Sequence, residues 1–116
     1  MVIKRFEDII AWQKAQDLAV KIYSHFGTSK DFGFKDQICR AVVSISNNIA
    51  EGFERRGDKQ FIHFLYIALG SCSEVRSMSY LAKRLNYIDD SIQSEILEQC
   101  HEINRLLYGL IKSIKR

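Results

Sequence analysis

Apolar residues recur at intervals of three and four positions in four separate stretches of this 116-residue chain. This spacing places the apolar side chains along one side of an α-helix. We predict helices over residues 7–26, 34–51 or a few residues beyond, 59–86 and 89–114. No stretch shows a comparable alternation of apolar and polar residues, which a half-buried strand requires. The pattern therefore predicts an all-α protein.

The second predicted helix ends in an unusually polar stretch, Ser44–Gly52. Ile45 and Ile49 continue its apolar face. Between and beside them lie four residues that helices disfavour: Ser44, Ser46, Asn47 and Asn48. These side chains compete with the backbone for hydrogen bonds, so they require either exposure or a specific polar contact. Gly52 adopts positive φ at little cost, and we expect it to stop or loosen the helix.

The third predicted helix is apolar almost all round in its first half. Phe61 and Leu65 mark one face, and Ile62 and Tyr66 mark a second. Because each helix of a four-helix monomer keeps a face in solvent, this excess indicates an oligomer interface. Gly70, in the middle of the helix, costs roughly 1 kcal/mol relative to alanine, and we expect a close approach between helices to compensate.

The connections between the predicted helices are short, which favours antiparallel neighbours and an up-down-up-down four-helix bundle. The chain has no proline and only six glycines, as expected of long helices with short connections. Its length suits one domain covering residues 1–116. The candidate N-caps are Ser29 or Asp31 for the second helix, Asp58 for the third, and Asp89, Asp90 or Ser91 for the fourth.

The composition excludes several classes of protein. A content of 47% apolar and 27% charged residues is that of a globular protein rather than a disordered one. No apolar run approaches the ~20 residues that span a bilayer, and the N-terminus lacks the apolar core of a signal peptide. Three cysteines far apart do not form a disulfide framework. We therefore expect a cytoplasmic protein that does not bind membranes.

Enzyme chemistry finds little support. Glu98 and His101 have the Glu-x-x-His spacing with which di-iron bundles present two ligands to one metal. Such bundles need a second copy, and neither His25 nor His63 has a glutamate three residues earlier. Cys72 has no histidine nearby in sequence, and no glycine-rich phosphate loop is present. We predict no catalytic residue, no metal and no cofactor.

Basic residues cluster at positions that an antiparallel bundle brings to one end. The starts of the first and third helices and the ends of the second and fourth share that end. The residues there, called the basic pole below, are Lys4, Arg5, Arg55, Arg56, Lys59, Lys112, Lys115 and Arg116. A concentrated pole could bind the phosphates of RNA or DNA, and an oligomer would multiply it.

The alternative is ordinary solvated charge. The net charge is only +3, and acidic residues dilute the pole: Glu7, Asp8, Glu51, Glu54 and Asp58. The chain is then a structural or protein-interaction module whose charges only keep it soluble. The sequence leaves both interpretations open.

A set of segments spread over most of the chain carries a family resemblance: Phe6–Ile9, Ala11–Ala15, Gln37–Ala41 and Ser44–Gly52, followed by Phe61, Phe64, Leu65, Ala68, Gly70, Ser71 and Glu74. Together they resemble the four-helix-bundle family of ribosomal RNA intervening-sequence proteins. The family motif is Asn47, Asn48, Ile49, Ala50, Glu51 and Gly52, and its most specific part is Asn48–Gly52. This sequence departs from the family at Ser46, where proline is usual.

The resemblance implies a bundle that assembles as a homopentamer around a central channel. Members are encoded in intervening sequences of bacterial 23S rRNA genes or stand alone. A related branch serves diversity-generating retroelements as basic accessory proteins that bind nucleic acid and reverse transcriptase, a role that the mild net charge disfavours. No catalytic residue carries over. We expect Asn47, Asn48, Glu51 and Arg55 to make contacts within the bundle or between subunits rather than to a ligand.

Overall fold

The computed structural model describes residues 3–115, which fold into four long helices preceded by a short 3₁₀ turn at Phe6–Asp8. The helices are α1 (Ile10–Phe26), α2 (Phe32–Glu54), α3 (Asp58–Arg84) and α4 (Asp90–Lys115). No strand occurs between residues 3 and 115. The prediction of an all-α fold with four helices is confirmed.

Successive helices run antiparallel and close into a bundle 44 × 22 × 19 Å in extent. α1 packs against α2 and α4, and α3 packs against the same two neighbours. Lys83, at the end of α3, forms an ion pair of 3.3 Å with Asp90 at the start of α4. Lys21 of α1 pairs with Glu95 of α4. The first and last helices are therefore also neighbours, as an up-down-up-down bundle requires.

The core lies along the axis of the bundle, where each helix contributes its apolar stripe. Leu18, Ile45, Leu65 and Leu107 are fully buried, one from each helix. Complete burial of such a side chain stabilises the fold by about 1.5–3 kcal/mol. The periodicity of the sequence therefore identified the side of each helix that packs inward.

Gly52 does not stop the second helix, so that part of the prediction is wrong, whereas the allowance of a few residues beyond Glu51 is confirmed. α2 continues to Glu54, and Gly52 is buried inside it. A Cβ atom at this position would lie 2.5 Å from Cβ of Phe64, so α2 and α3 approach each other too closely for any side chain here. The glycine with positive φ is Gly57, at 98°, in the turn that precedes α3.

The close approach expected at Gly70 does not occur within the described chain. This glycine is exposed on α3, and a Cβ atom built on it would meet no atom within 4 Å among the described residues. The close approach between helices occurs at Gly52 instead.

Several helix ends differ from their predicted positions. The chain does not enter α1 at residue 7, because Ile9 is extended (φ −75°, ψ 120°) between the 3₁₀ turn and Ile10. α3 ends at Arg84 rather than at Asn86, whose φ of 62° takes the chain out of the helix. Asp58 lies in the first turn of α3, where Gly57 holds the N-cap position.

Two of the candidate caps form. Asp31 Oδ1 accepts a hydrogen bond of 3.2 Å from the backbone N–H of Phe34. Asp89 Oδ1 accepts one of 2.9 Å from Ile92. Each satisfies a backbone donor that the first turn of a helix leaves unpaired.

The polar stretch of α2 is explained mainly by contacts within the bundle. Ser46 is buried and accepts a hydrogen bond of 3.0 Å from Gln16 Nε2 of α1. The hydroxyls of Ser44 and Ser71 are hydrogen-bonded between α2 and α3. Asn48 Nδ2 donates to the backbone oxygen of Ser44 at 2.7 Å. Asn47 is exposed.

Candidate nucleic-acid interface

The basic residues of the pole lie at one end of the bundle. Because neighbouring helices are antiparallel, the end of α2 meets the start of α3, as the contact of Gly52 with Phe61 and Phe64 shows. The segment before α1 packs beside the end of α4, since Ile3 and Leu110 line the same surface depression. The pole residues Lys4, Arg5, Arg55, Arg56, Lys59, Lys112 and Lys115 are all exposed there. Arg116 lies outside the described residues.

Two of these cations are partly neutralised. Arg5 forms an ion pair of 3.0 Å with Glu7, and Arg55 forms one of 2.9 Å with Glu51 one turn earlier on α2. Hydrogen bonds from its own backbone N–H and from Arg5 hold the pKa of Glu7 below its ordinary value, so this carboxylate is charged at neutral pH. The Arg55 guanidinium also lies 5.0 Å from the centre of the Phe64 ring.

The other basic residues keep their charge available. Within residues 3–115, Lys4, Arg56, Lys59, Lys112 and Lys115 form no ion pair with a carboxylate. Of the acidic residues that dilute the pole, Glu7 and Glu51 are engaged by Arg5 and Arg55. The surface that remains presents more positive than negative charge.

The opposite end of the bundle has no such excess. Equal numbers of basic and acidic side chains lie near it: Lys30, Lys35, Lys83 and Arg84 against Asp31, Asp36, Asp89 and Asp90. The positive charge of the chain is therefore concentrated at the basic pole.

Two exposed tyrosines beside the pole were not identified from the sequence. The sequence pattern places Tyr66 on a second apolar face of the third helix and does not single out Tyr108. Lys115 Nζ lies 5.8 Å from the centre of the Tyr66 ring. Tyr108, Lys112 and Lys115 are spaced at four and three residues on α4, a signal that could have placed Tyr108 beside the cations.

The family motif on α2 divides between the core and the surface. Ile49 and Gly52 are buried, whereas Asn47 and Glu51 are exposed. On the outer surface of α2 and α1, a shallow depression is lined by Tyr23, Cys39, Arg40, Val43, Asn47 and Glu51. The buried residues of the motif therefore pack within the bundle, and its exposed residues are available to a partner.

The candidate enzyme residues do not come together. Glu98 and His101 are exposed on α4. No group of three or more histidine, cysteine, aspartate or glutamate side chains could hold a metal ion in the part of the chain that the structure describes. Cys72 is buried and lies 3.5 Å, at Sγ, from the backbone oxygen of Cys100. Within the described range, no helix is long and apolar enough to cross a membrane.

Together these features define an antiparallel four-helix bundle with a conspicuous polar motif on α2 and a basic pole. The family model for the 23S rRNA-intervening sequence protein matches residues 7–109. The chain belongs to the family of 23S rRNA-intervening sequence proteins, which confirms the resemblance seen in its sequence.

A solved structure is similar over most of both chains. It is the crystal structure of a protein with unknown function from the S23 ribosomal protein family of Bacteroides thetaiotaomicron VPI-5482. The two share 32% sequence identity with a TM-score of 0.81, over 88% of this chain and 98% of the other. No curated protein matches this chain.

Proposed function

We propose that this protein is a non-enzymatic, cytoplasmic, oligomeric protein that binds RNA or DNA through its basic pole. One observation carries the proposal: exposed cations from four separate segments of the chain meet at one end of the bundle. Five of them form no ion pair among the described residues. Clustered cations of this kind bind phosphates by releasing condensed counterions.

Self-association would strengthen such binding by avidity. Membership of the family supports an oligomer, for which the resemblance implies a homopentamer. The exposed surface of α3 beside α2 also supports one. Ile67 and Leu81 are 40% and 47% exposed there, in line with Glu74, which accepts a hydrogen bond of 3.2 Å from Gln37 of α2. We assign subunit contacts to this surface, the α2–α3 face. It replaces the second apolar face expected from Ile62 and Tyr66, because Ile62 packs against the core of its own chain.

The binding test uses fluorescence anisotropy with labelled RNA and DNA over a range of salt concentrations. The variant Arg56→Ala/Lys59→Ala/Lys112→Ala removes three cations of the pole. The control Lys30→Ala/Lys35→Ala/Arg84→Ala removes the same charge from the opposite end. We expect the affinity of the wild type for RNA or DNA to fall steeply as the salt concentration rises. The pole variant should bind at least ~10-fold more weakly than the wild type, and the control variant should lose much less affinity.

The salt dependence gives a second criterion. Each lost contact with a single-strand phosphate should reduce the log–log slope by about 0.7, and each lost duplex contact by about 0.9. Negligible binding of wild type at low salt, or equal losses in the two triple variants, would contradict the proposal.

The oligomer is tested separately by light scattering coupled to size exclusion. Ile67→Lys/Leu81→Lys places two charges on the α2–α3 face, and we expect it to dissociate the assembly. The control Val20→Lys alters an apolar residue that is 71% exposed on α1 and should leave the mass unchanged. A monomeric wild type would overturn the oligomer. An oligomer that binds no nucleic acid would favour the alternative function, a protein-interaction module.

A further inference from the structure

Two exposed tyrosines lie at the same level on neighbouring helices. The contact of Cys72 Sγ with the backbone oxygen of Cys100, at 3.5 Å, shows that these two residues lie at the same level of α3 and α4. Counted from this contact along antiparallel helices that rise 1.5 Å per residue, Tyr66 and Tyr108 are offset along the bundle by only about 3 Å. Their exposed fractions are 46% and 57%.

The same two helices surround these rings with cations. Lys59 lies two turns before Tyr66 on α3, and Lys115 lies two turns after Tyr108 on α4, so each pair shares one side of its helix. Lys115 reaches across to within 5.8 Å of the centre of the Tyr66 ring, which joins the two rows into one surface. Lys112 lies one turn beyond Tyr108 and is also exposed. We call this surface the α3–α4 face.

The other exposed tyrosines do not repeat this arrangement. Tyr87 donates a hydrogen bond of 2.6 Å to Asp31 at the opposite end of the bundle. Tyr80 lies in the second half of α3, and Tyr23 lies on α1 beside the depression formed with α2. Single exposed rings also meet such cations elsewhere: Lys35 Nζ lies 5.2 Å from the centre of the Phe32 ring, and Arg40 lines the depression beside Tyr23. The α3–α4 face combines two exposed tyrosine rings with three cations that have no carboxylate partner among residues 3–115.

Exposed rings flanked by cations match the chemistry of a nucleic-acid strand whose bases are unpaired. The cations contact phosphates, and each aromatic ring offers a surface on which a base stacks. In a duplex the bases are stacked on one another, so only its phosphates can interact with this surface, through the cations. Stacking is also tolerant of base identity, because every base has a π-face.

We infer that the α3–α4 face binds single-stranded nucleic acid, with bases stacked on Tyr66 and Tyr108 and phosphates held by Lys59, Lys112 and Lys115. This inference rests on the proposed function and names its substrate class. A stacked base contributes about 5- to 150-fold in affinity, as judged by alanine substitution in other single-strand-binding proteins. The face should therefore prefer single strands to duplexes of equal charge.

The test compares labelled oligouridine, oligodeoxyuridine of the same length and a hairpin duplex, by fluorescence anisotropy at one salt concentration. Tyr66→Ala/Tyr108→Ala removes both rings, and Tyr66→Phe/Tyr108→Phe keeps them without their hydroxyls. Tyr23→Ala/Tyr80→Ala removes two exposed tyrosines elsewhere. We expect the first variant to lose about 10- to 100-fold in affinity for the single strands and to keep its duplex affinity. The other two variants should bind like wild type.

Comparison of the two single strands separates RNA from DNA. Equal affinities mean that stacking and phosphates suffice, whereas a preference for oligouridine adds a contact to the ribose hydroxyl. Either result supports the inference, provided that the tyrosines are required. Circular dichroism and light scattering on each variant establish that fold and assembly are retained.

Three outcomes would overturn the inference. If single strands and duplexes bind equally well without the two tyrosines, bases do not stack on them; the inference is then wrong, but the proposed function is retained. A change of oligomeric mass in Tyr66→Ala/Tyr108→Ala would assign the rings to a subunit contact. Absence of binding by wild type to every probe would instead overturn the proposed function, and this inference with it.

Discussion

Gly52 of α2 faces Phe64 of α3 so closely that a Cβ atom at position 52 would lie 2.5 Å from the Phe64 Cβ and 3.2 Å from the ring of Phe61. The last residue of the family motif is therefore a packing residue. It allows the two helices that carry the basic turn between them to converge, and so it helps to position Arg55 and Arg56.

Replacing Gly52 with alanine should destabilise the protein. The new methyl group meets the Cβ of Phe64, an atom that cannot move without its helix. Overpacking of this kind costs about 1–3 kcal/mol, measurable as the free energy of unfolding in urea. An unchanged midpoint would mean that α2 and α3 separate easily at this point.

Replacing Gly70 with alanine should have the opposite effect. Gly70 lies in the interior of α3, and a Cβ atom there meets nothing within 4 Å in the described structure. Alanine reduces the backbone entropy lost on folding, so we expect a gain of about 0.5–1 kcal/mol in the same urea experiment. A loss of stability accompanied by dissociation would instead place Gly70 in a subunit contact.

Asp31 should make stability sensitive to acid. Its side chain accepts hydrogen bonds from Tyr87 Oη at 2.6 Å and from the backbone N–H of Phe34 at 3.2 Å, and these hold its pKa below the ordinary 3.8. Because the folded-state pKa is depressed, its stabilising contribution is present above the ordinary value and is lost as pH falls through the folded pKa.

The corresponding variants are Asp31→Asn and Tyr87→Phe. We expect Asp31→Asn to unfold at lower urea concentration at neutral pH, and its stability to decline less than that of wild type when the solution is acidified below pH 3.8. Tyr87→Phe removes the larger cause of the shift and should show a smaller effect in the same direction. Asp17→Asn, on the exposed side of α1, is the control; an equal effect there would refute the assignment.

The three thiols should be unreactive in the folded protein. Cys39, Cys72 and Cys100 are buried. Burial raises the pKa of the Cys39 thiol, and the hydrogen bond with Cys72 together with burial raises the pKa of the Cys100 thiol. The same hydrogen bond lowers the pKa of the Cys72 thiol, so Cys72 is protected by its complete burial rather than by its pKa. Since the thiolate is the reactive species, labelling requires the bundle to open.

A chromogenic disulfide reagent measures this directly. At neutral pH we expect modification of the native protein to be at least ~100-fold slower than that of the urea-unfolded chain. Immediate labelling of Cys72 or Cys100, identified by mass spectrometry, would show that α3 and α4 separate in the native state.

Much of this molecule was predictable because its determinants are local. The apolar stripe that includes Leu107 and the caps at Asp31 and Asp89 depend on residues within a few positions of one another, so sequence spacing reveals them. The gathering of basic residues at one end followed from short connections and antiparallel helices alone. The family motif could likewise be recognised from the sequence, because its residues are contiguous.

The sequence by itself determined the four helices, their inward sides and the end at which the cations collect, because each follows from periodicity and chain connectivity. Tertiary structure alone decided which glycine is indispensable and which aromatic rings meet cations. Gly52 and Gly70 look alike in sequence, and only the register of α2 on α3 brings Phe64 against one of them. The approach of Lys115 to Tyr66 likewise depends on how α3 and α4 are staggered, a distance set by side-chain packing between helices rather than by spacing along the chain.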